Sequence, residues 1–65
     1  MKVQLSIRDP EVNPLELIAV AEDLDSRGIS HATIYKGNEC IWVSYGLVNA
    51  YYIFRGGKVV DIQID

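Results

Sequence analysis

The chain has 65 residues, of which 49% are hydrophobic and 23% charged, and its nine acidic and six basic side chains give a net charge of −3. This length allows one domain, expected to span residues 1–65, and the apolar content argues against intrinsic disorder. One cysteine and one histidine exclude an intramolecular disulfide and a four-ligand zinc site, so we expect no metal or cofactor. The apolar runs are too short for a transmembrane helix or for a signal-peptide core after Lys2, so we expect a cytoplasmic protein.

The first predicted element is a strand over residues 2–8, in which apolar and polar side chains alternate. A helix is predicted over residues 14–27, because Asn13 is a favourable N-cap and Pro14 suits the first helical position. Gly28 can adopt the left-handed conformation that commonly ends a helix. The apolar residues of the strand are Val3, Leu5 and Ile7, and those of the helical stripe are Leu17, Val20, Ala21 and Leu24.

From Gly28 onward the chain has the alternation and the turn residues of β-structure. Turns at Gly37-Asn38, between Gly46 and Asn49, and at Gly56-Gly57 separate four predicted strands, over residues 31–36, 39–45, 49–55 and 58–64. Short hairpin turns make these strands antiparallel neighbours, whereas the helical connection lets the first strand lie at any free edge, including in parallel. The predicted fold is therefore α+β, with a single helix packed on one face of a mostly antiparallel sheet, in the order β-α-β-β-β-β.

The two faces of this sheet are predicted from the period-two alternation, with the helix placed over the side of Val3, Leu5 and Ile7. On the later strands the same side is expected to carry Ala32, Ile34, Ile41, Val43, Tyr51, Ile53, Val60, Ile62 and Ile64. The uncovered side is expected to carry Gln4, Ser6, Arg8, Thr33, Tyr35, Cys40, Trp42, Ser44, Tyr52, Phe54, Val59, Asp61 and Gln63. A shift of one residue in any strand would exchange its two faces.

The uncovered side points to a function, because one helix cannot cover both faces of a sheet. The predicted partner-binding residues on this side are Tyr35, Trp42, Tyr52, Phe54 and Arg8. Exposed aromatic patches mark interaction surfaces, and Trp and Tyr are enriched among the side chains that dominate binding energy. A domain of this size also buries only about 60% of the surface that its unfolded chain exposes, so association would stabilise it.

We therefore expect a non-enzymatic protein-interaction module that acts through its aromatic sheet face or an exposed edge strand. Its expected partner is a second copy, giving a homodimer, or a host protein. If a bulge near Gly46 or strong curling of the sheet occurs instead, the aromatic rings would be buried within one chain.

Side chains with catalytic or metal-binding chemistry are few and isolated in the sequence. His31 has no acid or nucleophile near it in the chain, and Cys40 has no activating neighbour, so a surface histidine and a packing cysteine are expected. Glu22, Asp23 and Asp25 spread around the helix axis, which favours a solvated helix face over a cation site. These observations favour a protein that is not an enzyme and binds no metal.

Two alternative functions are compatible with the same residues. One is a small inhibitor or adaptor, of the kind that mobile elements encode, which blocks a host protein by strand addition or through its acidic helix face. The other is binding of single-stranded nucleic acid, whose bases would stack on the aromatic side beside Arg8, Lys36 and Arg55. The excess of acidic residues, and a sequence in which no two basic residues are adjacent, disfavour nucleic acid.

Overall fold

A computed structural model describes residues 2–65. The elements in chain order are β1 (Gln4–Ile7), α1 (Pro14–Ser26), β2 (His31–Gly37), β3 (Cys40–Tyr45), β4 (Val48–Arg55) and β5 (Lys58–Ile64). The five strands form one sheet in sequence order, with β1 parallel to β2 and all other neighbours antiparallel. The predicted α+β fold, a single helix packed on one face of a mostly antiparallel sheet, is confirmed.

Helix α1 begins and ends where local chemistry satisfies its free backbone groups. The side chain of Asn13 accepts a hydrogen bond from the Leu15 N–H at 2.9 Å, and Pro14 occupies the first helical position. At the other end Gly28 has a φ of 75°, and the Ile29 N–H donates to the Leu24 carbonyl at 3.0 Å. This is the six-to-one bond of a Schellman motif, which ends the helix at the expected place.

Two carboxylates hold the parallel edge strand β1 in place. Asp25, in the last turn of α1, accepts backbone hydrogen bonds from the N–H groups of Lys2 at 3.1 Å and Val3 at 2.7 Å. Asp9, just after β1, accepts from the Lys36 N–H at 2.7 Å. Asp25, which was predicted on a solvated helix face, is half-buried and engaged in these bonds.

The register of β4 corrects one face of the predicted sheet. A two-residue turn, Gly46-Leu47, pairs Tyr45 with Val48 and Val43 with Ala50. Paired residues share a face, so alternate residues of β4 from Ala50 onward point toward the helix, and the residues between them point away. The predicted assignment was one residue out of phase: Tyr52 and Phe54 lie in the core, whereas Tyr51 and Ile53 lie on the uncovered side.

A β-bulge corrects the predicted faces of β5. Ile53 pairs with Asp61 but Phe54 pairs with Val59, which leaves Val60 as the extra residue of the bulged strand. Val60 is 55% exposed and Val59 packs against the core, the reverse of the predicted arrangement. Ile64 is exposed as well, since it lies near the end of an edge strand, whereas Ile62 packs against the core as predicted.

The core occupies the single layer between α1 and the sheet. Its largest fully buried side chain is Tyr52, which packs among mostly aliphatic residues. The buried residues are Val3, Val12, Val20, Ala21, Leu24, Ala32, Ile34, Ile41, Val43, Ala50, Tyr52 and Phe54. Because α1 covers this side only, the other side of the sheet is left without a covering layer within the described residues.

Candidate protein-interaction face

The uncovered side of the sheet, called the open face below, carries three aromatic side chains on adjacent strands. Tyr35 of β2 pairs with Trp42 of β3, and Trp42 pairs with Tyr51 of β4. These three residues are called the aromatic row. On one side the row continues to Gln63 of β5. On the other side Arg8 follows directly after β1, and its N–H donates to the Ile34 carbonyl at 2.9 Å.

The rings of the aromatic row are in contact with one another. The ring centroids of Tyr35 and Trp42 are 4.6 Å apart with an interplanar angle of 30°, and those of Trp42 and Tyr51 are 6.1 Å apart at 20°. The Trp42 indole Nε1–H donates to Asn49 Oδ1 at 3.3 Å, so its polar group is satisfied within the chain. Pairs of this kind contribute about 0.5–1.5 kcal/mol beyond area burial and restrict the rotation of each ring. The row is therefore a pre-ordered surface rather than a set of loose side chains.

The residues on the two sides of the aromatic row differ in polarity. On one side of it lie Cys40 and Ile53, which pair with each other across β3 and β4. On the other side lie three small polar residues of adjacent strands, Thr33, Ser44 and Asn49. The open face therefore has an aromatic and apolar part bordered on one side by polar residues, and protein–protein interfaces likewise combine an apolar centre with polar residues at the edge.

Gly37 packs closely against the side chain of Cys40 on the open face. The two residues are paired across the β2–β3 hairpin, and a Cβ placed on Gly37 would collide with Cys40 Sγ. The half-buried thiol therefore fills the space that the glycine leaves free. This arrangement agrees with a packing role for Cys40, as the sequence predicted.

The structure brings together three of the five predicted partner-binding residues and separates the other two. Tyr35 and Trp42 are paired on the open face, and the exposed Arg8 follows directly after β1, one residue beyond the Ile7–Ile34 pair and near the end of the aromatic row. Tyr52 is 1% exposed and Phe54 is 9% exposed, both beneath α1, so neither can contact a partner at the open face. Their predicted position on the uncovered side was therefore wrong. The alternative considered from the sequence, that the aromatic rings are buried within one chain, is true of these two rings.

Tyr51 belongs to the aromatic row and was not among the predicted partner-binding residues. The run from Val48 to Phe54 is largely apolar on both faces, so alternation alone does not fix its phase. The signal that could have found Tyr51 is the length of the preceding turn. A two-residue turn at Gly46-Leu47 makes Tyr45 and Val48 partners, and alternation from Val48 then leaves Tyr51 opposite the core.

The hydroxyl of Tyr52 is the most perturbed acid–base group among the described residues. It donates to Asp23 Oδ2 at 2.5 Å, and Arg27 Nε donates to the same oxygen at 2.7 Å. Burial, together with the hydrogen bond to the Asp23 carboxylate, raises the pKa of Tyr52 well above its usual value. A phenol held neutral in this way is not a base or nucleophile at neutral pH. Its hydrogen bond to Asp23 instead links β4 to the helix.

Asp23, which was predicted on a solvated helix face, is partly exposed and is also engaged in this cluster with Tyr52 and Arg27. The hydrogen bond and ion pair with Asp23 raise the pKa of Arg27.

In residues 2–65 there is no cluster of three His, Cys, Asp or Glu side chains placed to hold a metal ion. His31 is exposed, with Nδ1 3.1 Å from Ser30 Oγ.

A shallow groove lies between the N-terminal end of α1 and the β2–β3 hairpin, with a volume of about 530 Å³. Its charged lining mixes both signs, comprising Glu11, Glu16, Glu39, Lys36 and Arg55. Such a lining has no strong excess of charge for an anion or a cation. We therefore assign it no ligand.

Within residues 2–65 there is no helix of the length and apolarity needed to cross a bilayer. Comparisons with protein-family models, with curated proteins and with solved structures found no match.

Proposed function

We propose that this protein is a non-enzymatic interaction module that self-associates through its open face. The observation that supports this proposal is an ordered aromatic row on an uncovered sheet, with Trp42 37% exposed at its centre. A large aromatic side chain in the middle of a flat surface is the usual anchor of a protein interface. A second sheet laid on this face would convert a two-layer domain into a four-layer dimer.

Burial of the aromatic row would make a useful but limited contribution to binding. The exposed 37% of Trp42 corresponds to roughly 80 Å², worth about 2 kcal/mol at about 25 cal/mol per Å². Association itself costs on the order of 4–15 kcal/mol, so the whole face, and not Trp42 alone, has to contribute. We therefore expect a dissociation constant in the micromolar range, which corresponds to a binding free energy of about −8 kcal/mol.

The dimensions of the open face match the size of a small specific interface. Five strands about 4.8 Å apart and about six residues long cover roughly 500 Å² of flat area. Projecting side chains increase the accessible area of that surface. Two such faces together reach about 1,000–1,200 Å², the lower end of the range for specific protein interfaces.

A sedimentation equilibrium series on the wild type and two variants tests the proposal. Trp42→Lys places a charge at the centre of the open face and is expected to leave a monomer. Leu47→Lys makes the same kind of change at a fully exposed residue in the β3–β4 turn, and is expected to dimerise like the wild type. Circular dichroism melts check that both variants fold.

Two results would overturn self-association through the open face. One is a wild type that stays monomeric at millimolar concentration. The other is a Trp42→Lys variant that associates as tightly as Leu47→Lys. The first result would favour the host-protein alternative, an inhibitor or adaptor that uses the same face or an edge strand. The second would place self-association on a surface other than the open face.

A further inference from the structure

We propose that the dimer is symmetric about a two-fold axis that runs along β3, so that Arg8 of each copy pairs with Asp61 of the other. This inference rests on the proposed function and specifies the partner and its register. The strand order supplies the first step. β3 is the central strand of the five, and β1 and β5 are the two edges.

Arg8 and Asp61 stand at opposite edges of the open face. Arg8 follows directly after β1, and continuing the alternation of that strand places it on the side of Ser6, near the end of the aromatic row. Asp61 lies on β5 opposite Ile53, in the row next to the aromatic one. Both side chains are exposed, and the two rows are separated by two residues, or about 7 Å along a strand. The open face thus carries a basic group at one edge and an acidic group at the other.

A two-fold axis in the interface and parallel to β3 exchanges the two edges. It lays β1 of one copy over β5 of the other, which brings Arg8 toward the partner's Asp61 and Gln63. Packed sheets are rotated by about 30° and an arginine side chain is long, so the offset of one row can be spanned. Because such an interface uses the same patch twice, each Arg8–Asp61 contact occurs in duplicate.

The other simple arrangement is disfavoured by charge. An axis in the interface but perpendicular to the strands lays β1 over β1, and it therefore places Arg8 near the partner's Arg8. Like charges facing each other across an interface oppose association. The register along β3 also places Trp42 beside the partner's Trp42 at the axis, where contact is most complete.

Charge reversal in a mixed sample tests this register. Arg8→Asp alone sets a carboxylate against the partner's Asp61, and Asp61→Arg alone sets a guanidinium against the partner's Arg8. Each variant is expected to associate at least about tenfold more weakly than the wild type at low salt. An equimolar mixture of the two forms a heterodimer in which one of the two contacts pairs the reversed side chains and the other pairs the native ones. Both contacts are then between opposite charges, and the affinity is expected to return to near that of the wild type.

Two further measurements separate this pairing from general charge effects and from misfolding. Glu22→Arg changes the net charge as much as Asp61→Arg but lies on the exposed side of α1, and it is expected to leave association unchanged. Arg8→Gln and Asp61→Asn remove charge without reversing it and are expected to show smaller losses of affinity. If a charge-reversed variant does not fold, these two variants still allow the affinity without the Arg8 or Asp61 charge to be compared with that of the wild type.

The outcomes distinguish this register from the proposed function. A dimer that requires Trp42 but tolerates both charge reversals would overturn the register and leave self-association through the open face standing. A mixture that associates no better than either single variant would do the same. A wild type that is monomeric at all concentrations would overturn both.

Discussion

The hydroxyl of Tyr52 in the central part of the sheet donates a hydrogen bond to the carboxylate of Asp23 on α1, across 29 residues of sequence. Arg27 donates to the same carboxylate oxygen from the helix surface. Tyr52 is therefore apolar where its ring packs in the core and polar where its hydroxyl emerges beside the helix. Large core residues of this kind need a partner for their polar end.

Tyr52→Phe is expected to destabilise the folded protein by about 1.5–3 kcal/mol, because it removes a hydrogen bond to a charged acceptor and leaves the Asp23 carboxylate less satisfied. Urea unfolding at a fixed protein concentration measures the loss. Tyr51→Phe is the matched control, since it removes the same group from the neighbouring residue on the open face, and we expect a change within about 0.5 kcal/mol. Equal losses in both variants would contradict the role assigned to the Tyr52 hydroxyl.

The same contact predicts a loss of stability at alkaline pH. Folding raises the pKa of Tyr52 above its unfolded value of about 10, so this contribution is fully present below that pH and declines as pH rises above it. The decline is expected to reach up to about 1.4 kcal/mol per pH unit. Because Tyr52→Phe lacks the titrating group, the stability difference between wild type and variant should shrink between about pH 10 and about pH 11.5 in urea unfolding. A difference that is constant over this range would show that Tyr52 ionises equally in both states.

The secondary structure was predictable because its ends depend on neighbouring residues. Asn13 and Pro14 start the helix and Gly28 ends it, each through contacts within a few positions. The placement of Tyr35 and Trp42 on the open face also followed from alternation, since their neighbours Ile34 and Val43 are aliphatic and buried. These are the parts of the fold in which local chemistry decides the outcome.

The parts that the sequence did not reveal depend on register. Tyr51 and Tyr52 are identical side chains, and only the length of the turn before β4 decides which of them meets the helix. The bulge at Val60 likewise changes the phase of β5 with no glycine or proline at that position to mark it. The contact of Tyr52 with Asp23 then follows from that register and could not be derived from either residue alone.

Asp25 provides a further prediction, on the attachment of β1. Asp25→Ala removes the acceptor for the N–H groups of Lys2 and Val3, one of which belongs to a buried residue, and should cost about 1–2 kcal/mol. Amide hydrogen exchange should show faster exchange at Val3 than in the wild type, because the edge strand loses its attachment to α1. Glu22→Ala, at an exposed residue of the same helix, is the control and should leave Val3 exchange unchanged. Unaltered exchange at Val3 in Asp25→Ala would mean that pairing with β2 alone holds the strand.

The last prediction concerns nucleic acid, the competing ligand class for the aromatic row. Stacked bases would contact Trp42, the chain's one tryptophan, so its fluorescence reports on the open face directly. We expect no saturable quenching by an oligothymidine at low salt, because Arg8 on this face is offset by Asp61 and the chain carries a net charge of −3. Raising the protein concentration in the same cell should instead shift the emission to shorter wavelength as Trp42 becomes buried between two copies. Saturable quenching that high salt abolishes, with no effect of protein concentration, would assign the aromatic row to base stacking and not to self-association.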